Sequence, residues 1–177
     1  IPTLESKMLD GNIAYIRLFD FGDNAASELR AALEELLANE PVGLIFDLRG
    51  NGGGFVNIAI EVVSQFIDED VVLIEEYGNG DRDVFKASGD GVALEIPLVV
   101  LVDQGSASAS EIVAGAIQDY GRAPLVGMTT YGKGSVQSWI ELGTDGGAVR
   151  VTVARWLTPK ERQINELGLE PDYIVEF

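Results

Sequence analysis

Among its 177 residues the sequence has no histidine and no cysteine. The first absence removes the imidazole that most serine and cysteine nucleophiles use as their base, and the two together remove the commonest zinc-binding sets. The second also removes disulfides and thiol nucleophiles. Positive charge is scarce: 12 Lys and Arg stand against 29 Asp and Glu, a formal net charge of -17. Such a surface repels phosphate backbones, so neither nucleic acid nor an anionic membrane is an expected partner. Long apolar runs are missing too. The longest, Ile96 to Val102, has the length of a strand, well short of the roughly 20 residues that span a bilayer, so membrane insertion is not expected. The chain opens on Ile1 without a basic-then-apolar leader, which reads as a mature form or an excised piece.

An apolar content of 46% and a length of 177 residues are present instead. A chain of that size removes roughly 70% of its unfolded surface from water, enough to support one core. Residues 1–177 are therefore expected to form a single domain. "LESKMLDGNIAYIRLFDF" is two extended stretches around the turn signal Asp10-Gly11-Asn12, a β-hairpin. "NAASELRAALEELLAN" sets Leu29, Leu33, Leu36 and Leu37 at helical spacing, with Asn24 as a cap and Pro41 beyond the end. "GLIFDLRG" reads as a buried strand running into glycines, and "VNIAIEVVSQFI" as a helix. "DVVLIEEYG" and "DVFKAS" read as strands, "IPLVVLVD" as a central strand and "SASEIVAGAIQDYG" as a helix closed by Gly121. The alternation predicts an α/β fold, a largely parallel sheet with crossover helices. The short β-rich pieces "PLVGM", "SVQSWIEL", "AVRVTVARWL" and "DYIVEF" follow.

Two loops follow two buried strands, "RGNGGG" from Arg49 to Gly54 and "DQGSAS" from Asp103 to Ser108. Sites form at the carboxyl ends of strands in open α/β sheets, so both are expected to face one crevice. The glycines allow close backbone approach to an oxyanion or phosphate, although a tight strand-to-helix turn would need them equally. In "QGSASASEIVAG" three serines alternate, Ser106, Ser108 and Ser110. Ser108-Ala-Ser-Glu111 fits a capping box, while a serine at a helix start would also make a nucleophile whose oxyanion gains from the helix dipole. The pattern alone does not separate the two uses.

A base is available in "GMTTYGKGSVQ", where Lys133 sits between glycines and apolar strands. Lysine accepts a proton only if desolvation or positive potential brings its pKa down from about 10.4. Of the four lysines, Lys7, Lys86 and Lys160 lie in polar contexts. The stretch nearly spells a nucleotide-binding loop, but Gly134 stands where that loop needs Ser or Thr, and a strand follows where it needs a helix. Acidic runs such as "DED" read as solvated face with no catalytic or metal-binding part.

Taken together, "DLRGNGGG", "VLVDQGSASASEIVAGAIQDYGRAPLVG", "YGKGSVQ" and "TPKERQINELGLEPDYIVEF" resemble the C-terminal processing peptidases, or tail-specific proteases, in order and spacing from about Tyr15 to Phe177. The resemblance implies a ClpP/crotonase-like core and a serine endopeptidase with a Ser-Lys dyad, which forms an acyl-enzyme and cuts protein or peptide substrates near their C-termini. It implies no cofactor and no metal, and an extracytoplasmic location, periplasmic or secreted. Matched residue by residue, it makes Ser108 the nucleophile, Lys133 the general base and Gln137 the group that orients the lysine. The backbone amides of Gly54 and Ala109 become the oxyanion hole, while Asp47, Arg49 and Asn51 shape the glycine loop. Gly52 stands where members often have proline, and Glu161 where they commonly have glycine. Members usually carry a PDZ domain before the segment equivalent to "IAYIRLFDF", so the expectation is a catalytic core without one. The alternative is a silent ligand- or peptide-binding module on the same fold.

Overall fold

In this computed structural model, which describes residues 2–143 and 146–176, the apolar segments settle into two sheets. The first is built on β3 (Gly43–Asp47), β6 (Leu98–Val102) and β7 (Leu125–Gly127). They are adjacent and parallel, and β6 sits between its two neighbours. β1 (Leu4–Leu9) and β2 (Ile13–Leu18) form the expected hairpin around residues 10–12, and β2 then joins β3 in parallel. The far edge is β10 (Tyr173–Ile174), parallel to β7. Continuous apolar runs suit strands covered on both faces, and Leu44, Phe46, Leu98, Val100, Val102 and Leu125 are buried.

Helix α1 (Ala25–Leu37) packs on β1 and β2 through Leu29, Leu33 and Leu36, the stripe its spacing predicts. Asn24 occupies the N-cap position, but its side chain makes no cap hydrogen bond, which corrects the expected capping role. Its backbone carbonyl accepts the Ser27 hydroxyl and the Glu28 amide, each at 2.9 Å. Helix α2 (Val56–Val63) is shorter than the apolar period suggests, and its last expected residues lie in turns. It lies between α1 and α3 (Ala109–Asp119), a helix buried on almost every side. Gly121 closes α3 in the left-handed conformation, at φ +64°.

The second sheet is antiparallel, in the order β5 (Arg82–Lys86), β4 (Val71–Tyr77), β9 (Ala148–Leu157), β8 (Ser135–Glu141). It brings together two strands from the middle of the chain and two from near its end, a pairing that no local pattern announces. Its consequence for function is positional. β8 begins where the loop after β7 ends, and β9 holds that strand in place. Three loops leave the carboxyl ends of β3, β6 and β7, and because those strands are parallel neighbours all three loops emerge at one edge.

Candidate active site

The glycine loop after β3 is fixed by side chains that point away from solvent. The fully buried Asp47 carboxylate accepts from Arg49 Nη2 at 2.6 Å, Arg49 Nε at 2.9 Å, the Arg49 amide at 3.0 Å and the Tyr15 hydroxyl at 2.8 Å. Burial pushes this carboxyl up, but the hydrogen bonds from Arg49 and Tyr15 outweigh it and hold the group below the usual carboxylate value. Asn51, also fully buried, donates to the Leu18 carbonyl at 2.9 Å and accepts the Gly53 amide at 2.9 Å. Asp47, Arg49 and Asn51 thus shape the loop, as expected.

The serine loop after β6 is braced against the glycine loop. Asp103 Oδ1 accepts the amides of Gly50 at 2.8 Å and Gly105 at 2.9 Å, a link with no signature in the sequence. Ser106 and Ser110 are fully buried. The Ser106 hydroxyl donates to the Leu48 carbonyl and the Ser110 hydroxyl to the Asn51 carbonyl, each at 2.8 Å. Both are cross-braces between the two loops. Ser108 alone of the three opens on a cleft.

Its backbone sets it apart as well. Ser108 is the N-cap of α3 with φ 56° and ψ -114°, a region L-residues rarely occupy and which costs of order 1–3 kcal/mol. A sharp, strained turn from strand into helix is the way a nucleophilic serine is lifted clear of its surroundings in α/β-hydrolases. The predicted capping box forms at this turn, with the Glu111 carboxylate accepting the Ser108 amide at 2.8 Å. The Glu111 amide also finds the Ser108 carbonyl oxygen at 2.8 Å, so the helix start does not depend on the serine hydroxyl.

Lys133 lies in the loop between β7 and β8, and its backbone is held on several sides. Its amide donates to Glu111 Oε2 at 2.9 Å, and its carbonyl accepts the Trp156 indole N–H at 3.0 Å. The neighbouring Gly132 donates to Glu111 Oε1 at 2.7 Å and accepts the Glu166 amide at 2.7 Å.

Ser108, Lys133 and Gln137 line one cleft of about 180 Å³, with Val56, Ile112, Val136 and Trp156 forming its apolar walls and Arg150 also lining it. Among the described residues the side chains of Ser108, Lys133 and Gln137 make no hydrogen bond to one another. The glycine loop forms the wall beside the serine: a Cβ placed on Gly53, at φ +98°, would stand 2.9 Å from the Ser108 Cβ and 2.9 Å from the Ala109 amide nitrogen. The Gly53 carbonyl is turned to the Phe21 amide at 3.1 Å. A trans peptide then points the Gly54 N–H the opposite way. A roomier concavity of about 410 Å³ lies on the second sheet around Glu76, Tyr77 and Arg155, and it has no serine and no lysine. Sequence reasoning missed Trp156 and Glu111 as supports of the lysine loop. Glu111 carried a signal, three residues after Ser108, but the signal reads only as a helix cap.

Residues 12–175 match peptidase family S41. The chain is 44% identical over 165 residues to the carboxyl-terminal-processing protease of Synechocystis sp., spanning 93% of this chain and 38% of that protein. It is 40% identical over 178 residues to the carboxy-terminal processing protease CtpA of Bacillus subtilis, spanning 100% of this chain and again 38% of the relative. Among solved structures, the photosystem II D1 C-terminal processing protease superposes with a TM-score of 0.92 at 34% identity, over 99% of this chain and 49% of that one. The chain thus spans well under half the length of these curated relatives. The fold, the loop order and these matches agree: the chain belongs to peptidase family S41.

Proposed function

We propose that the chain is the catalytic core of a serine endopeptidase that cuts protein substrates near their C-termini, with Ser108 as nucleophile and Lys133 as general base. The observation that carries this reading is that Ser108 alone of the three alternating serines opens, from a strained turn at a helix start, on a cleft also lined by a lysine and a glutamine. Ser108 Oγ attacks the scissile carbonyl carbon while the neutral Lys133 amine takes its proton. The oxyanion is received by the N–H groups of Gly54 and Ala109. The second lies in the first turn of α3, where the helix dipole favours negative charge. The Lys133 ammonium then returns its proton to the departing amine, leaving an ester on Ser108. Lys133 next draws a proton from water, which attacks the ester and frees the serine. Gln137 orients the lysine, and these contacts tighten when substrate fills the cleft, as catalytic hydrogen bonds commonly do.

Peptide substrates fit the apolar walls and an acidic exterior that repels nucleic acid. No helix among the described residues is long and apolar enough to cross a membrane. We propose an extracytoplasmic location as well; three of the relatives are named chloroplastic. A peptide-library assay with product masses tests the reading: wild type yields shortened C-termini, Ser108→Ala and Lys133→Ala yield none, and a fluorophosphonate probe attaches to Ser108. Undiminished cleavage by Ser108→Ala would overturn it.

A further inference from the structure

Among the described residues Glu111 is the one fully buried carboxylate that joins the serine loop to the lysine loop, and the reaction scheme above leaves it idle. Its four hydrogen-bond donors are a hydroxyl and three backbone amides. Oε1 accepts the Thr130 hydroxyl at 2.6 Å and the Gly132 amide at 2.7 Å. Oε2 accepts the Ser108 amide at 2.8 Å and the Lys133 amide at 2.9 Å. A single oxygen atom therefore holds the main chain of the nucleophile and the main chain of the base. Helix capping needs only the bond from the Ser108 amide, and the other three reach a loop about twenty residues further along the chain.

We infer that Glu111 is the positioning residue of the dyad: its carboxylate sets the distance and orientation of the Lys133 loop relative to the Ser108 turn. The inference rests on the proposed roles of those two residues. Its physical basis is the match of charge to donors. A buried carboxylate is stable only if its lone pairs are filled, and here every partner is a donor. The link continues outward, because Thr130 Oγ1, while donating to Glu111, accepts the Leu169 amide at 2.8 Å. The serine turn, the lysine loop and the C-terminal segment are thus joined through one side chain, and a shift in any of them is felt by the dyad.

An isosteric amide separates positioning from capping. In Glu111→Gln one oxygen becomes an NH₂ group, and in either orientation it confronts a backbone N–H that has lost its acceptor. The two loops then part while the volume stays filled. A misplacement of this size costs about 10²-fold in rate. The expected result is a kcat about 100-fold lower with KM within about threefold, slowed fluorophosphonate labelling of Ser108, and joint loss of exchange protection at the Ser108 and Lys133 amides. Thr130→Val, which deletes one donor, should lower kcat less, and Thr130→Ser should restore it. If Glu111→Gln loses only thermal stability and keeps wild-type kcat below its melting temperature, Glu111 is a cap and the inference fails. Should Glu111→Gln not fold, an unchanged kcat in Thr130→Val overturns the inference equally. Full activity in Ser108→Ala and Lys133→Ala would instead overturn the dyad itself, a different outcome from wild-type kcat in Glu111→Gln alone.

Discussion

Gly53 packs directly against Ser108, with space for no side chain between them: a Cβ on Gly53 would meet the Ala107 carbonyl oxygen at 2.7 Å as well as the Ser108 Cβ at 2.9 Å. Backbone atoms and a Cβ cannot yield as a flexible side-chain tip can. Gly53 also adopts φ +98°, which an L-residue enters only with strain.

Gly53→Ala is therefore expected to push the serine turn away from the glycine loop and to disturb the Gly54 and Ala109 amides together. Loss of one oxyanion donor costs about 10²–10³-fold in kcat elsewhere, and a fall of at least 100-fold is expected here. Steady-state kinetics beside a thermal melt would check it. A variant with native kcat would show that the glycine loop is a tight turn and nothing more.

The three serines should separate cleanly. Ser106→Ala and Ser110→Ala each remove a buried hydrogen bond, to the Leu48 and Asn51 carbonyls, which keep the Asn51 and Ala107 amides as donors, at a cost of about 0.5–1.5 kcal/mol. Since about 1 kcal/mol moves the melting temperature of a chain this size by about 2–4 °C, both variants should melt several degrees lower yet retain hydrolysis. Ser108→Ala should abolish hydrolysis without that loss. Ser108→Gly, which also relieves φ 56°, should melt above wild type. A Ser108→Gly variant melting well below wild type would contradict a strained nucleophile turn.

Much of this site was legible in sequence, and for identifiable reasons. Apolar runs ending in glycines mark β3 and β6, and the loops after them meet because parallel strands end at one edge. The choice of Ser108 over Ser106 and Ser110 came from resemblance; alternation alone left all three equal. The structure supplies the physical difference, because the outer two hydroxyls are spent on carbonyls of the preceding loop. The second sheet was illegible because β4 and β9 pair across nearly eighty residues with no local signal. Glu111 was legible only in its local role, since a capping pattern reports neighbours in sequence and says nothing of a loop that returns from the other side of the helix. The Trp156 indole on the Lys133 carbonyl was hidden for the same reason.

Acid should act on the glycine loop through Asp47. Its carboxyl is held below the usual value in the folded protein, so the ionised form contributes stability above the unfolded value of about 3.9 and that contribution disappears as pH falls through the lower folded value. Wild type and Asp47→Asn should therefore differ most in denaturant midpoint near neutrality and converge below about pH 4. A difference that stays constant from pH 7 to pH 3 would mean that Asp47 contributes nothing through its charge.

Lys133 is held by its backbone, which makes its side chain unusually simple to remove. The amide is bound by Glu111, the carbonyl by Trp156, and Gly132 on one side by Glu111 and Glu166. None of these bonds involves the ammonium. Lys133→Ala should therefore keep the loop, the cleft and the melting temperature within about 0.5 kcal/mol of wild type, the range of substitutions that break no structural feature. Hydrolysis should still vanish, because no other base lines the cleft: the chain has no histidine, and among the described residues the cleft is lined by no other lysine and by no carboxylate. Lys133→Arg should fail equally, since a guanidinium keeps its proton at any working pH. The two variants together distinguish a base from a mere positive charge. If arginine restores more than about a tenth of the wild-type rate, equivalent to a loss of under about 1.4 kcal/mol, Lys133 acts by charge alone and the proton leaves Ser108 by another route.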